Sequence, residues 1–270
     1  MIVAHISDVH FGRITHPEIV DALIKDIADV EADLVVASGD LTQRARRREF
    51  LAAADMLSQF HAPVLCVPGN HDVYAWWYAA SRLTQPLNRY RAYITDDLNP
   101  TFETDDVAIL GINSAVGWTI KGGHVRESDR EKITAFFGAV PDERLRVLVV
   151  HHHLTRIHAL GRHDVARNAR QTLDAAQAAG VDLILCGHLH VSHIEPFEII
   201  PGEHRMIVAS AGTATSDRGR GAHKETNFYN VIEIGPRKLS IDERRFEPKT
   251  PSFVSESRTT FDRPVVTTWD

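Results

Sequence analysis

The chain has 270 residues, of which 43% are hydrophobic and 24% charged. This ordinary composition excludes a disordered, collagenous or coiled-coil chain, and the length suffices to bury a large core without disulfides. Lysine and arginine number 30 against 36 aspartate and glutamate residues, so the net charge is −6. That balance argues against binding to nucleic acid or to an anionic membrane surface. The 16 histidines are about twice the usual share and favour a metal site.

The two cysteines, Cys66 and Cys186, both lie in apolar runs, and their spacing fits no zinc motif. We interpret them as buried free thiols of a reducing compartment. The stretch Met1–Ile6 has neither the basic nor the apolar segment of a signal peptide, so we expect none. No apolar stretch approaches the roughly 18 residues that a membrane-spanning helix needs. We therefore expect a soluble, cytoplasmic protein without a membrane span.

Short runs rich in Val, Ile and Leu predict strands that are buried on both faces, because these runs are apolar throughout and do not alternate. They are Ile2–Ile6, Leu34–Ala37, Val64–Val67, Val107–Ile112, Val147–Val150 and Leu183–Cys186. Amphipathic stretches between the runs predict helices, and this alternation of strands and helices predicts a layered α/β fold.

The first helix is expected to open at Thr15, with Thr15 as its N-cap, Pro17 in the first turn and Glu18 completing a capping box. Three further helices are predicted around apolar positions with helical spacing. They are Phe50–Leu57, Ile133–Phe137 and Leu173–Ala179, the last of which ends before a glycine.

The final third of the chain loses the helical period, and short strand-like runs follow one another there. These are Ile194–Ile200, Met206–Ala209, Phe228–Ile234 and Leu239–Ile241. They predict antiparallel strands that complete a second sheet packed on the first, giving a four-layer αββα sandwich of two mixed β-sheets flanked by helices. Residues 248–270 are rich in Thr, Ser and Pro. We expect them to form a loosely held C-terminal tail after a single domain of residues 1–247, with packing back onto the domain or onto a partner as the alternative.

Five polar clusters directly follow five of the predicted strands. They are Asp8-Val9-His10, Gly39-Asp40, Gly69-Asn70-His71-Asp72, His151-His152-His153 and Gly187-His188-Leu189-His190. Because ligand groups gather beyond the carboxyl ends of strands in open α/β sheets, we expect these side chains to converge at one rim. Such a set of carboxylates, amide and imidazoles suits Mn, Fe or Zn better than Ca or a structural Zn site. The number of ligands fits two ions that share one carboxylate.

In chain order the clusters form the pattern D-x-H, GD, GNHD, H and GHxH. In every element this set resembles the calcineurin-like metallophosphoesterase superfamily. The stretches Ile6–Gly12 and Gly39–Thr42 are most similar to the bacterial class III cyclic-nucleotide and glycerophosphodiester phosphodiesterases. The loop around Asp40 lacks the GDxVDRG motif of Ser/Thr protein phosphatases, and Gln43 stands where purple acid phosphatases have a Tyr.

The resemblance implies two divalent ions held by seven ligands, which are Asp8, His10, Asp40, Asn70, His152, His188 and His190. Asp8, His10 and His190 would bind the first ion, and Asp40 would bridge it to the second. Aligning Leu154-Thr155 with the prolines of a family His-His-Pro-Pro stretch selects His152, with His151 and His153 as the alternatives. His71 would contact the substrate phosphate beside Asn70 and act as the general acid.

The same resemblance implies a metal-dependent phosphodiesterase whose substrate is a cyclic nucleotide or another small diester. Two ions of Mn, Fe or Zn would polarise the phosphoryl oxygens and supply a bridging hydroxide that attacks phosphorus. Nucleic acid is not an expected partner, and a homodimer is compatible with the sequence. The alternatives are a phosphomonoesterase or nucleotide-sugar-lipid pyrophosphatase of the same superfamily, a nuclease, and a non-catalytic scaffold. The acidic balance argues against the nuclease and the complete ligand set against the scaffold.

Four further segments carry open interpretations. The loop Thr155–Asn168, which includes His158 and Arg162, is expected to overhang the metal rim as an ordinary loop or a substrate-selecting one. The aromatic run Trp76–Tyr78 is expected to pack against the following helix, with base stacking as the alternative. The side chain of Arg44 is expected to face solvent or to contact a substrate phosphate. Asp72 is a candidate for orienting the ring of His71.

Overall fold

The centre of the fold consists of two mixed β-sheets of six strands each. The computed structural model describes residues 1–157, 160, 163, 165–199 and 204–263. In chain order the strands are β1 (Ile2–Ile6), β2 (Leu34–Ala37), β3 (Val64–Cys66), β4 (Thr101–Glu103), β5 (Val107–Ile112), β6 (Leu145–Val150), β7 (Leu183–Cys186), β8 (His193–Glu198), β9 (Arg205–Ser210), β10 (Phe228–Ile234), β11 (Lys238–Glu247) and β12 (Ser252–Asp262).

The strand order is β12-β11-β10-β1-β2-β3 in the first sheet and β4-β5-β6-β7-β9-β8 in the second. The neighbours β1, β2 and β3 run parallel, as do β5, β6, β7 and β9. The carboxyl ends of these parallel strands therefore share one edge in each sheet, which is where loops can combine into a site.

Helices cover the outer face of each sheet and complete the predicted four-layer sandwich. They are α1 (Ile19–Asp29), α2 (Arg47–Ser58), α3 (Ala79–Thr84), α4 (Asn88–Tyr93), α5 (Glu127–Gly138) and α6 (Ala169–Ala178). One apolar cluster lies between the sheets and joins residues such as Val36 and Val147. Two further clusters lie under the helices, so the strands are buried on both faces, as their continuous apolar runs predicted.

The start of the first helix differs from the prediction. Helix α1 begins at Ile19, its N-cap is Glu18, and no side chain caps it. Thr15 lies outside the helix because its N–H donates to the carbonyl of Thr215 at 2.9 Å, beside a β-bridge between Ile14 and Ser216. Thr15 therefore contacts the loop after β9 and does not cap the helix, although local capping preferences predicted that it would.

The strands of the final third do not all complete the second sheet, and they are not all antiparallel, which corrects the prediction. Strand β10 pairs antiparallel with β1, whereas β9 pairs parallel with β7. The late strands therefore extend both sheets that the early strands begin. Local periodicity reveals that a segment is a strand, but the pairing partner depends on tertiary packing. Ile200, the predicted end of one of these strands, lies outside the described residues.

The segment expected to be a loose tail contains β12. It pairs antiparallel with β11 from the pair Glu247–Ser252 to the pair Lys238–Asp262 and forms an edge of the first sheet. Phe253 is 3% exposed and packs on Tyr229 and Phe246. An edge strand exposes most of its side chains to solvent, so its Ser, Thr and Glu content resembled that of an unstructured terminus. The loosely held tail is therefore wrong for Ser252–Asp262.

Candidate metal centre

The predicted ligands meet where the carboxyl ends of the two sheets come together. The loops after β1, β2 and β3 carry Asp8, His10, Asp40 and Asn70, and the loops after β6 and β7 carry the remaining histidines. Four overlapping groups have ligand atoms within 4.8 Å of one another, and these are Asp8–His10–His190, His10–Asp40–His71, Asp8–Asp40–His151 and His151–His152–His188. Side chains from both sheets thus form one buried cluster.

Asp8 lies at the centre of the first part of the cluster. Its Oδ2 accepts hydrogen bonds from the hydroxyl of Ser7 and the main-chain N–H of His188. Its Oδ1 lies 3.5 Å from the Nε2 atoms of both His10 and His190. His10 donates Nδ1–H to the carbonyl of Thr42 at 3.2 Å, which leaves its Nε2 unprotonated in the neutral ring and available as a ligand.

Asp40 lies between the two parts of the cluster. Its Oδ1 accepts the main-chain N–H of His71 at 2.7 Å. Its Oδ2 is 3.6 Å from Nε2 of His10 and 3.4 Å from Nε2 of His151. The free oxygen therefore faces imidazoles that belong to different sheets, which is the position that a shared carboxylate requires.

The second part of the cluster contains Asn70, His188 and the histidines after β6. Nδ1 of His188 lies 3.0 Å from Oδ1 of Asn70, and the rings of His152 and His188 have centroids 4.6 Å apart. The structure also brings His151 here, where its Nδ1 donates to the carbonyl of Ser38 at 2.7 Å. His153 faces away from the cluster, with its Nε2 3.1 Å from the hydroxyl of Ser210.

The donor atoms fit metal ions. Several buried atoms of the cluster have no hydrogen-bond partner in the described part of the chain, and they are Asp8 Oδ1, His10 Nε2, Asp40 Oδ2, His151 Nε2, His152 Nε2 and His190 Nδ1. Leaving buried polar atoms unpaired is costly. Two ligand atoms held about 2.1 Å from one ion at tetrahedral angles are about 3.4 Å apart. The separations of 3.4 to 3.6 Å on Asp8 and Asp40 match this value.

The backbone is strained at several of the predicted metal ligands. Five of them have positive φ angles between 53° and 69°, and these are Asp8, His10, Asp40, His188 and His190. This left-handed conformation costs roughly 1–2 kcal/mol per residue relative to the right-handed one. Such strain persists where the surrounding structure holds it for a function. Gly39 has φ +100°, and a Cβ there would lie 2.6 Å from Nδ1 of His151, so close approach of the two sheets requires glycine.

Burial and the charges of neighbouring groups shift the pKa values of the residues in the cluster. Although burial raises it, the neighbouring His190 and His10 hold the pKa of Asp8 well below its usual range. Burial lowers the pKa of His152 and of His190 to about 3. His151 is the exception, since Asp40 outweighs burial and raises the pKa of His151 to about 9. Asp40 therefore favours positive charge at Nε2 of His151, which is the charge that a metal cation would supply there.

His71 stands beside the cluster on its half-buried side. Its ring contacts that of His10 with centroids 4.8 Å apart, and its Nδ1 donates to the carbonyl of Gln43 at 2.8 Å. Burial lowers the pKa of His71 to about 4. Asp72 does not orient this ring, which corrects that hypothesis. The Asp72 carboxylate instead accepts hydrogen bonds from Thr42 and from the main-chain N–H of Gly69.

Other histidines, and the predicted aromatic run and rim loop, do not join the cluster in the described part of the chain. His5 is a buried core residue whose Nε2 lies 2.9 Å from the hydroxyl of Ser38. Trp76 is 70% exposed, so the expected packing of the aromatic run is wrong for this residue. His124 contacts Trp118 and joins none of the ligand groups found among the described residues. His158 and Arg162 of the predicted rim loop lie outside the described residues.

A groove beside the cluster has a volume of about 440 Å³. Its walls combine His71 and Asn70 of the cluster with Arg218, Lys121 and the apolar side chain of Trp76. Sequence reasoning did not find Arg218 or Lys121, since neither belongs to a motif and both reach the groove only through the fold. The groove gives the cluster its access to solvent, because His71 lines it and is half-buried.

This fold and this arrangement of carboxylates and imidazoles are typical of a family of metal-dependent phosphoesterases. The chain belongs to the calcineurin-like phosphoesterase family, whose model matches residues 1–192. Members of this family bind divalent metal ions in a dinuclear site, and the carboxylate and imidazole groups described above fit such a site. The predicted membership is thereby confirmed.

Two relatives show what the chain is similar to in sequence. The 3',5'-cyclic adenosine monophosphate phosphodiesterase CpdA of Escherichia coli K12 is 28% identical over 162 residues, which are 59% of this chain and 55% of that protein. The glycerophosphodiester phosphodiesterase GpdQ of Enterobacter lignolyticus is 31% identical over 134 residues, 45% of this chain and 46% of that protein. The chain thus matches about half the length of these relatives.

The solved structure of the purple acid phosphatase PPD1 from yellow lupin (Lupinus luteus) seeds has the same fold. It superposes with a TM-score of 0.72 at 13% sequence identity, over 97% of this chain and 54% of that one. The four-layer sandwich predicted from the sequence is confirmed by this likeness. No helix in the described ranges has both the length and the apolar character needed to cross a membrane.

Proposed function

We propose that the chain hydrolyses small-molecule phosphodiesters, with cyclic nucleotides and glycerophosphodiesters as the substrate classes to be tested first. The observation that carries this proposal is the buried cluster around Asp8 and Asp40, whose unpartnered oxygen and nitrogen atoms fit two cations. The phosphodiesterase names of the relatives from Escherichia coli and Enterobacter lignolyticus support the choice of diesters over monoesters.

We assign seven residues to two ions of Mn, Fe or Zn. Asp8, His10 and His190 hold the first ion, and Asn70, His152 and His188 hold the second. Asp40 is shared, because its free Oδ2 faces both parts of the cluster. When bound, the two ions supply Lewis acidity to the phosphoryl oxygens and acidify a water molecule. Imidazole and carboxylate ligands without thiolate favour these metals over Ca²⁺.

We assign substrate contact and acid catalysis to His71. The carbonyl of Gln43 holds its Nδ1–H, so the ring has one orientation and Nε2 is its remaining proton site. With a pKa of about 4, the imidazolium is more acidic than that of a free histidine and is a minor form at neutral pH. A bound phosphodiester carries a negative charge that raises this pKa and increases the fraction of imidazolium. Proton transfer from the imidazolium to the leaving oxygen is favourable because an alkoxide is far more basic than imidazole. Asn70 lies on the same wall of the groove and contacts the same phosphate.

The groove supports a small substrate. Its volume of about 440 Å³ falls in the range of roughly 300–1,000 Å³ that is typical of small-molecule sites. Lys121 and Arg218 provide positive charge for a phosphate, while Trp76 and Ile120 provide apolar surface for an organic substituent. The overall charge of −6 supports the same choice, because tracking along a nucleic acid requires a basic surface.

The proposal is tested with bis(p-nitrophenyl) phosphate, cyclic AMP, cyclic GMP and p-nitrophenyl phosphate, each with protein loaded with Mn, Zn or Fe. We expect kcat/KM for the diester bis(p-nitrophenyl) phosphate to exceed that for the monoester p-nitrophenyl phosphate. Asp40→Asn is the control, since it removes the shared charge and nearly keeps the shape. A clear preference for the monoester with every metal would make the protein a phosphatase, and no turnover of any ester would overturn the assignment.

We also propose a reducing compartment such as the cytoplasm. Cys66 and Cys186 are both free and buried, and burial raises the pKa of the Cys66 thiol to about 12, so neither needs a disulfide partner. A homodimer remains a proposal that light scattering on the purified protein tests directly.

A further inference from the structure

Arg218 is an arginine on the wall of the groove beside the proposed catalytic histidine. It belongs to the loop between β9 and β10 and lines the groove together with His71 and Asn70. Its Nη1 donates to the side-chain oxygen of Gln43 at 3.2 Å. The main-chain carbonyl of the same Gln43 accepts Nδ1–H of His71 at 2.8 Å. One residue therefore holds both the imidazole and the guanidinium.

The loop that carries Arg218 is attached to the loop that carries Asp8. The hydroxyl of Thr213 donates to the carbonyl of Asp8, and the hydroxyl of Thr215 donates to the carbonyl of Val9, both at 2.7 Å. Asn227 donates to the carbonyl of Thr213 from the far side at 3.2 Å. The main chain before Arg218 is thus held against the loop that carries Asp8. The side chain of Arg218 therefore approaches the buried cluster from a defined direction.

The guanidinium of Arg218 has no carboxylate partner within ion-pair distance among the residues that the structure describes, and its one hydrogen-bond partner there is the neutral amide of Gln43. Arg13, in the same groove, contrasts with it, since its Nε lies 2.7 Å from Oδ1 of Asp217. Arg218 is also half-buried. An unpaired cation in such a place loses hydration without compensation, and a bound anion would supply what is missing.

The electrostatic surroundings point the same way. Burial lowers the pKa of Arg218, whereas the carboxylates of Asp40 and Asp8 raise it. Both of these carboxylates are proposed metal ligands. Once two divalent ions neutralise them, a bound phosphate would supply the negative charge that this guanidinium then lacks. A guanidinium remains protonated under these conditions and matches two phosphate oxygens with its parallel N–H groups.

We propose that Arg218 binds a non-bridging oxygen of the phosphoryl group that the metal cluster holds, and that Gln43 is the residue that positions it. The inference rests on the proposed phosphoesterase function and names a further substrate-binding residue for it. Arg218 would act on any phosphate ester, since it contacts the group that all of them share. The organic substituent would lie elsewhere in the groove, towards Trp76 and Ile120.

The test measures inorganic phosphate binding to the manganese-loaded protein by calorimetry, next to the kinetics with bis(p-nitrophenyl) phosphate. Losing a charge-assisted hydrogen bond to phosphate should weaken binding about 10- to 100-fold in Arg218→Gln. Arg218→Lys should recover part of the loss, because it keeps the charge without the paired N–H groups. Metal content and melting temperature should stay at wild-type values. Arg220→Gln is the matched control, because Arg220 is exposed on the same loop and its loss changes net charge equally.

The positioning role of Gln43 is tested with Gln43→Glu. The new carboxylate has the size of the amide and lies next to the guanidinium, so it should pair with Arg218 and weaken phosphate binding as Arg218→Gln does. The double variant Gln43→Glu/Arg218→Gln should lose little beyond the larger single effect, because both changes remove the same contact. Additive losses would overturn the positioning role.

The outcomes separate this inference from the proposed function. If the wild-type protein hydrolyses diesters while Arg218→Gln and Arg220→Gln bind phosphate equally well, the role of Arg218 is wrong and the function stands. If Arg218→Gln raises the KM for the diester and leaves phosphate binding unchanged, the guanidinium contacts a different part of the substrate, which also overturns the proposal. If the metal-loaded wild-type protein binds no phosphate and cleaves no ester, both fail.

Discussion

Asp72 and Thr42 are joined by two hydrogen bonds, although they follow different strands. Oδ1 of Asp72 accepts the main-chain N–H of Thr42 at 2.9 Å and its hydroxyl at 3.0 Å. The other oxygen accepts the N–H of Gly69 at 3.0 Å. This carboxylate therefore connects the loop that carries Asp40 to the loop that carries Asn70, so the final residue of the GNHD motif supports the shape of the site without touching His71.

Replacing Asp72 tests this support. Asp72→Asn keeps the size but offers one acceptor oxygen, so an NH₂ group would face N–H donors that are buried. We expect a loss of about 2–4 kcal/mol in the free energy of unfolding, measured in urea, and about 10- to 100-fold weaker metal binding. Asp105→Asn, on an exposed turn, is the control and should change neither. Wild-type stability in Asp72→Asn would contradict the supporting role.

Asp40 and His71 should separate metal binding from catalysis. Asp40→Asn removes the shared charge between two cations, so metal content and activity should fall together. His71→Asn should keep both ions and the melting temperature but lose turnover by about 10²–10⁴-fold, as is typical of general acids. The loss should be smaller for bis(p-nitrophenyl) phosphate, whose leaving group hardly needs a proton, than for cyclic AMP. Elemental analysis beside the kinetics checks this, and a missing ion in His71→Asn would show that His71 is a ligand.

Two ions per chain are expected after loading with manganese and mild washing with chelator. His152→Ala should reduce the number to one, whereas His153→Ala should retain two, because His153 faces Ser210. Removing the ions should also lower the melting temperature, since they bind only the folded chain. Elemental analysis and calorimetry measure both effects. Loss of an ion in His151→Ala, with none lost in His152→Ala, would transfer the ligand role to His151.

The metal-free protein should lose stability as the pH falls below 6.5, partly through His5. Burial lowers the pKa of His5 from 6.5 to about 3. Between these values the unfolded chain binds a proton that the folded chain excludes, so stability decreases as the pH falls, by up to about 1.4 kcal/mol per pH unit. His5→Asn should reduce this slope in urea titrations between pH 6.5 and 4. Equal slopes in the two metal-free proteins would show that His5 is protonated in the fold.

The strand β12 should contribute to stability as a core element. Phe253 is 3% exposed, and Phe253→Ala should lower the free energy of unfolding by about 3–5 kcal/mol, as is usual for a buried phenyl ring. Its neighbour Val254 is 38% exposed, and Val254→Ala should cost far less. Denaturation in urea compares the two. Equal, small effects would mean that residues 252–262 behave as the tail that their composition suggested.

The sequence alone determined the candidate ligands and the four-layer fold, because both are encoded locally. Continuous apolar runs identified the central strands, and the polar residues directly after them identified the rim, since the carboxyl ends of parallel strands share an edge. The motifs around Asp8, Asp40 and His188 then selected the family. The pairing of the late strands was not accessible in this way, because the strand-like run that reveals β10 contains no information about its neighbour.

Only the tertiary structure shows which contacts each residue of the site makes. Asp72 follows His71 in the chain, yet its carboxylate is used by Thr42, and the ring of His71 is held by the carbonyl of Gln43. Arg218 reaches the groove from a loop with no motif, because hydrogen bonds from Thr213 and Thr215 attach that loop to the strand end at Asp8. Hydrogen bonds between residues about 30 to 200 positions apart exist only after the strands have paired and the two sheets have packed, and for that reason no local pattern could predict them.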